Sequence, residues 1–225
     1  YLIFLFVALS SFAAFAQGYQ VTIKAPGFKS GITYLTYYMG SNFNIADSAA
    51  MGSNGVAVFK GKTKLQPGIY VIFFPGKTIR IEFLVDKEQT ISVTADTADL
   101  VNKTIVIGSK ENNLYVQYQK VASAKGKIIQ QERIAYAASA TKQDSLLHEK
   151  RYTEANNELN TYREGIIKNQ PASMMAVLLN AMKEPVYPTK VPVTRQDSID
   201  NYNEYKKHYW DGITFMDDRI IRTPF

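Results

Sequence analysis

The sequence predicts an α+β fold: an antiparallel β-sandwich over residues 17–109, followed by a helical segment over 110–225 made of a helical hairpin and two further helices. Three observations carry this. Up to Gly108 the apolar residues recur at every second position in short runs, beyond it they recur at spacings of three, four and seven, and turn chemistry punctuates the first half at intervals of 8 to 12 residues.

The strands follow in order. Tyr19, Val21 and Ile23 alternate, as do Ile32, Tyr34, Thr36 and Tyr38, and further runs lie at 56–59, 69–74, 79–85, 90–95 and 104–107. Pro26-Gly27, Ser53-Asn54-Gly55, Pro67-Gly68, Pro75-Gly76 and Asp86-Lys87-Glu88 separate them. Seven or eight such strands make a sandwich or a partly open barrel. With 0 Cys in the chain, that fold rests on its Tyr, Phe, Ile and Val core without disulfides.

The first helix is expected from Glu111 to about Ser139, with Gly126 as a point where it can bend. Thr141 and Asp144 have the spacing of a helix cap, and Tyr152, Ala155, Leu159, Tyr162 and Ile166 then form an apolar seam opposite a charged face. That is the pattern of an antiparallel hairpin. A third helix opens at Pro171 and runs through Met174, Met175 and Leu178 to Met182. Pro185, Pro188 and Pro192 read as a stiff linker, and Thr194 with Asp197 caps a last helix reaching about Trp210.

Residues 2–16 carry no charge and end in Ala14-Phe15-Ala16, which predicts a signal peptide over 1–16 cleaved between Ala16 and Gln17. A membrane anchor is the weaker reading, because a spanning helix needs about 20 apolar residues and Ser10 and Ser11 interrupt this run. No later stretch is apolar enough to span a bilayer, so the expected location is exported, in the periplasm or cell envelope. The missing Cys also excludes a lipobox. The chain begins at Tyr1 with no basic residue before Lys24, so a truncated start is expected.

Composition excludes several chemistries. Without Cys there are no zinc-thiolate sites, iron–sulfur clusters or thiol nucleophiles, and 2 His leave no poly-histidine metal site. No catalytic, cofactor-binding or metal-ligating residues are expected. The net charge of +6 divides evenly between the two halves, and Lys60-Gly61-Lys62-Thr63-Lys64 reads as a solvated turn, so no nucleic-acid partner is expected. Gly61-Lys62-Thr63 and Gly76-Lys77-Thr78 resemble the end of a phosphate-binding loop, but the Gly that loop requires is Val56 and Val71 here. Ser139-Ala140-Thr141-Lys142 matches Ser-x-x-Lys with no Lys-Thr-Gly after it and is read as capping. His148 lies among charges and reads as solvated. His208 sits beside Tyr205, Tyr209 and Trp210; a dyad with Asp211 or Asp217 is conceivable, and an aromatic packing cluster is the reading preferred. Asp217-Asp218 reads as solvated or capping. Tyr34, Tyr37 and Tyr38 could stack a sugar or peptide, and equally build a strand.

In order, the chain carries Ala25-Pro26-Gly27-Phe28, Tyr34-Leu35-Thr36-Tyr37-Tyr38, Asp47-Ser48, a hairpin from Gly55 to Gly61, Pro67-Gly68-Ile69-Tyr70, Phe83-Leu84-Val85-Asp86 and Gly108-Ser109-Lys110-Glu111-Asn112. This string resembles the N-terminal region of cell-envelope thioredoxin-like (TlpA/ResA-type) thiol:disulfide interchange proteins, and residues 210–225 resemble the end of that region. The resemblance implies a β-sandwich and a helical segment, both of unknown function, ahead of a C-terminal thioredoxin domain. It implies that domain as partner, together with envelope proteins, and no cofactor. The family's Cys-x-x-Cys is missing, so this chain is expected to be a non-catalytic accessory region, a fragment ending before the catalytic domain. The alternative is a free-standing envelope module that binds a glycan or peptide through Tyr34, Tyr37 and Tyr38.

Overall fold

The computed structural model describes residues 18–183 and 191–224. The predicted leader, its expected cleavage point at Ala16 and Gln17, and Pro185 and Pro188 of the predicted linker lie outside them. The described chain runs β1 (Tyr19–Lys24), β2 (Ile32–Met39), β3 (Asn42–Ala50), β4 (Val56–Gly61), β5 (Gly68–Phe73), β6 (Arg80–Val85), β7 (Thr90–Thr94), α1 (Leu100–Lys103), β8 (Ile105–Ile107), α2 (Lys110–Ala138), α3 (Lys142–Asn169), α4 (Met174–Ala181) and α5 (Arg195–His208), with a 3₁₀ turn at Asp218–Ile220. The fold is α+β, as the periodicity predicts.

The strands form two four-stranded sheets, ordered β4-β1-β7-β8 and β3-β2-β5-β6. Every pairing is antiparallel except β1 with β7. All seven predicted runs become strands. β3 is an eighth that the pattern does not reveal: Asn-Phe-Asn-Ile-Ala-Asp-Ser-Ala-Ala is poor in β-formers, largely exposed, and broken in register opposite Leu35 and Thr36. The four predicted helices form with one shift, and the short α1 is a fifth that the pattern does not reveal. Ser173 caps α4 by accepting from the Ala176 N–H, so Pro171 belongs to the turn before the helix rather than to its first turn.

Alternation fills the space between the sheets. Val21 and Ile23 of β1, Leu35 of β2, Phe59 of β4, Tyr70 and Ile72 of β5, and Phe83 of β6 form one buried core. The opposite faces of β5 and β6 contribute Ile69 and Leu84 to a second core, with Tyr115 and Tyr118 of α2, Leu159 and Ile166 of α3, and the Met174, Met175, Leu178 and Leu179 face of α4. Gly68 to Ile72 are therefore buried without interruption, and β5 is the wall shared by both cores.

α2 and α3 pair antiparallel along a ladder of cross-contacts. Arg163 donates to the Tyr118 hydroxyl at 3.2 Å, Lys125 pairs with Glu158, His148 meets Glu132 at 2.6 Å, and the Tyr136 and Tyr152 rings meet edge to face. His148 is thus a paired side chain rather than a solvated one. The predicted seam lies in this hairpin, with Ala155, Leu159 and Ile166 buried.

One buried amide fixes the start of α2 to the sandwich. Asn112, fully buried in the first turn of α2, accepts from the Leu84 N–H at 2.7 Å through Oδ1 and donates from Nδ2 to the Leu84 carbonyl at 2.6 Å. Its amide thereby occupies the place of a neighbouring strand on the outer edge of β6. Ser109 accepts from both the Asn112 N–H and Nδ2, which fixes the rotamer. Asn112→Ala leaves a buried N–H and a buried C=O unpaired, and we predict a loss of about 3 kcal/mol in urea unfolding. Ser109→Ala, which removes the N-cap but neither Leu84 contact, is expected to cost about 1 kcal/mol.

Candidate functional site

The three tyrosines singled out in β2 do not share a face. Leu35 and Tyr37 point into the sandwich, where the Tyr37 and Tyr70 rings lie 5.9 Å apart, while Tyr34 and Tyr38 project from the other side. Lys77 stands 4.6 Å above the Tyr34 ring. Tyr38 packs on Phe43 at 4.7 Å and donates to Glu82 Oε1 at 2.6 Å; Tyr115 of α2 donates to the other oxygen, Oε2, at 3.1 Å. One carboxylate thus ties β2, β6 and α2 together. Burial first, and the Glu82 carboxylate after it, hold both phenols protonated well above the ordinary tyrosine range.

His208 Nδ1 lies 2.7 Å from Asp211 Oδ2, and its Nε2 lies 3.6 Å from Glu204 Oε2. The Nδ1 contact is a hydrogen bond, so His208 and Asp211 are paired, whereas the Nε2 separation is too long for one. Asp217 is engaged elsewhere: it accepts from Arg219 Nε at 2.8 Å and Nη2 at 2.6 Å, and Arg219 Nη1 donates to the Ala172 carbonyl at 2.9 Å. These bonds from Arg219 hold the Asp217 carboxyl below the usual carboxylate range. The expected aromatic cluster is present, with Tyr205, Tyr209, Trp210 and Phe215 in ring contact at 4.7 to 5.6 Å.

That cluster lines an apolar groove of about 560 Å³ with Met182, Ile213, Ile220 and Ile221 on its other walls. Trp210 and Phe215 are 54% and 63% exposed at its rim. The sequence shows these residues as a cluster but not as a groove, because the walls come from α4, α5 and the segment after it. That segment is anchored at the sheet. The Ile69 N–H donates to the Arg222 carbonyl at 2.9 Å where β2 no longer covers β5, and Arg222 lies 5.6 Å over the Tyr37 ring. A Cβ at Gly68 would collide with the Arg222 side chain and come within 3.0 Å of its carbonyl oxygen, so the Pro67-Gly68 turn is required for this docking.

Among the described residues no group of three or more His, Cys, Asp or Glu side chains is placed to hold a metal, and the chain has no cysteine. No helix among them is long and apolar enough to cross a membrane. The arrangement offers apolar and aromatic contact, with ion pairs that are internally matched.

Residues 19–115 match the family model of a domain of unknown function, DUF4369. The match covers the sandwich and runs just far enough to include Asn112 and Tyr115, the two α2 residues bonded to β6. No curated protein and no solved structure matches the chain.

Two pH dependences follow. The depressed Asp217 carboxyl stabilises the fold above the ordinary Asp value of about 3.9 and loses this as pH falls through its lower folded value. Asp217→Asn should cost about 1 kcal/mol at neutral pH and flatten the acid limb of Tm against pH. At the other extreme, burial pushes Tyr70 up to about 12 and holds Tyr38 and Tyr115 above their ordinary value as well. Their contribution is complete below about pH 10 and is lost as pH rises through the folded values, so phenolate absorbance should rise together with loss of near-UV CD.

Proposed function

We propose that this chain is the non-catalytic N-terminal accessory region of an exported thioredoxin-like thiol:disulfide interchange protein, acting as a scaffold for a thioredoxin domain and its envelope partners. The observation that supports it most is a double attachment to the sandwich, through the start of α2 and through Arg222. α2 is locked to β6 through Asn112, and Arg222 is locked to β5 at Ile69, so hairpin and C-terminal segment ride on the sheet as one body. A region built this way sets where an attached domain sits and raises the effective concentration of what it holds. The ordered motifs add to this reading: Pro67-Gly68 and Gly108 to Asn112, both part of the resemblance, are the residues at the two anchors. The apolar leader over residues 2–16 supports export.

A second reading, a free-standing module for a glycan or peptide, is favoured by the exposed Trp210 and Phe215 at the groove. The two separate in one experiment. In a polypeptide that carries this region ahead of a Cys-x-x-Cys domain, deleting residues 17–109 should lower partner capture and the exchange rate by about tenfold. Unchanged capture and rate sink the scaffold reading. Loss of glycan or peptide binding in Trp210→Ala, with exchange untouched, would support the module.

A further inference from the structure

The helical hairpin and α4 enclose a second concavity, of about 570 Å³, which shares Met182 and Lys183 with the aromatic groove. Asn156, Asn160, Arg163 and Ile167 follow one another at steps of four, three and four on α3, so they line it as one stripe about 16 Å long. Arg133 of α2 enters at the Asn156 end, where its guanidinium lies 5.6 Å from the Tyr152 ring, one turn before Asn156. Lys183 enters beside Glu164, close to Arg163 in the stripe.

Charge in this groove is not balanced. Lys183 contacts both oxygens of Glu164, at 3.0 and 3.2 Å, and that pair cancels itself. The arginine ion pairs among the described residues belong to Arg151 and Arg219, so Arg133 and Arg163 bring two positive charges with no carboxylate of the described residues to meet them. Arg163 is nevertheless fixed in place. Its Nε donates to the Tyr118 hydroxyl at 3.2 Å, its Nη1 donates to Asn160 Oδ1 at 3.3 Å, and its guanidinium lies 5.9 Å from the Tyr118 ring. These contacts orient the planar fork without neutralising it, and they leave both Nη2 donors for a ligand.

We propose that this groove binds a ligand bearing phosphate or sulfate groups, with Arg163 as the main oxyanion contact, Arg133 as the contact at the other end, and the Asn156 and Asn160 amides donating between them. The site lies wholly in the helical segment, outside residues 19–115. Hydrogen-bonding inventory selects the ligand. An acidic peptide suits the charge, but its N–H groups need acceptors, and the side-chain oxygens of Asn160 and Glu164 are already engaged. Phosphate and sulfate oxygens bring acceptors, which is what a wall of guanidinium and amide N–H groups requires.

The test is titration calorimetry of the whole chain with inorganic phosphate, inorganic sulfate and a sugar phosphate monoester, at an ionic strength fixed near 150 mM with chloride. The expected result is saturable one-site binding with Kd of about 1 mM or below, and a shift of the Arg163 and Arg133 Nε–H resonances. Asn156→Asp places a negative charge in the stripe at an exposed position, and should weaken binding at least about tenfold with Tm unchanged. Arg133→Gln should do the same. Lys142→Gln, which removes a cation of the same hairpin far from the groove, should leave the affinity as it is. A monoester that binds at least about tenfold tighter than the inorganic ions assigns the groove to an esterified ligand, and equal affinities assign it to the free ion. Both outcomes uphold the site. Absence of saturable binding by all three probes overturns it, as does binding that Lys142→Gln weakens as much as Asn156→Asp. Tighter binding of a poly-glutamate peptide than of any of the three overturns the choice of ligand.

Discussion

The pairing of the Asn112 amide with both backbone groups of Leu84 is the interaction on which the rest of the structure depends. Without it the outer side of β6 at Leu84 would be unpaired, and α2 would be held to the sheet only by the Tyr115 bond to Glu82 and the second core. With it, the side of β6 that would otherwise take another strand is occupied by a helix, and the helix inherits the geometry of a strand pairing. Tyr115, one turn further along, then reaches Glu82, and the Tyr118 ring is delivered to the second core. The hairpin follows, because α3 is read off α2 by the ladder from Tyr118 to Tyr152. A buried amide is costly unless fully bonded, and this one is bonded on both sides, so the position accepts few other residues.

A two-sided strand is the second constraint. β5 presents Tyr70 and Ile72 to the sandwich and Ile69 to the helices, and Val71 is likewise fully buried. Its unbroken apolar run is what a strand between two cores must have, and the end of β6 beside it, where Phe83, Leu84 and Val85 are all buried, shares that pattern. The helical segment therefore completes the covering of this sheet. The DUF4369 match, reaching past Ser109 to residue 115, fits that view of where the first structural unit closes.

Much of this was legible in the residues. Period-two runs marked seven strands, and Thr141, Thr194 and Asp197 marked helix starts because a cap is a local interaction between neighbours in sequence. β3 escaped because it is a strand by pairing rather than by composition: a tight Gly40 turn lays it against β2, and little of it is buried. Asn112 escaped for the opposite reason. Three residues after an N-cap Ser it reads as an ordinary first-turn residue, and only the sheet shows that its side chain is aimed at Leu84. The tyrosines of β2 were visible as a group, but alternation sends Tyr37 to one side and Tyr34 and Tyr38 to the other. The groove at Trp210 combines elements distant in sequence, which no local pattern reports.

The bond from Ile69 to the Arg222 carbonyl has a consequence for how the molecule is made. Its two ends are separated by more than half the chain, so it ranks among the most non-local contacts in the fold. As the polypeptide leaves the ribosome, the sandwich can close and α2 can seat on β6 while the start of β5 still lacks its last partner. Arg222 supplies it. Assembly thus has a built-in order, in which the sheet can pair before Arg222 has been made to complete the start of β5.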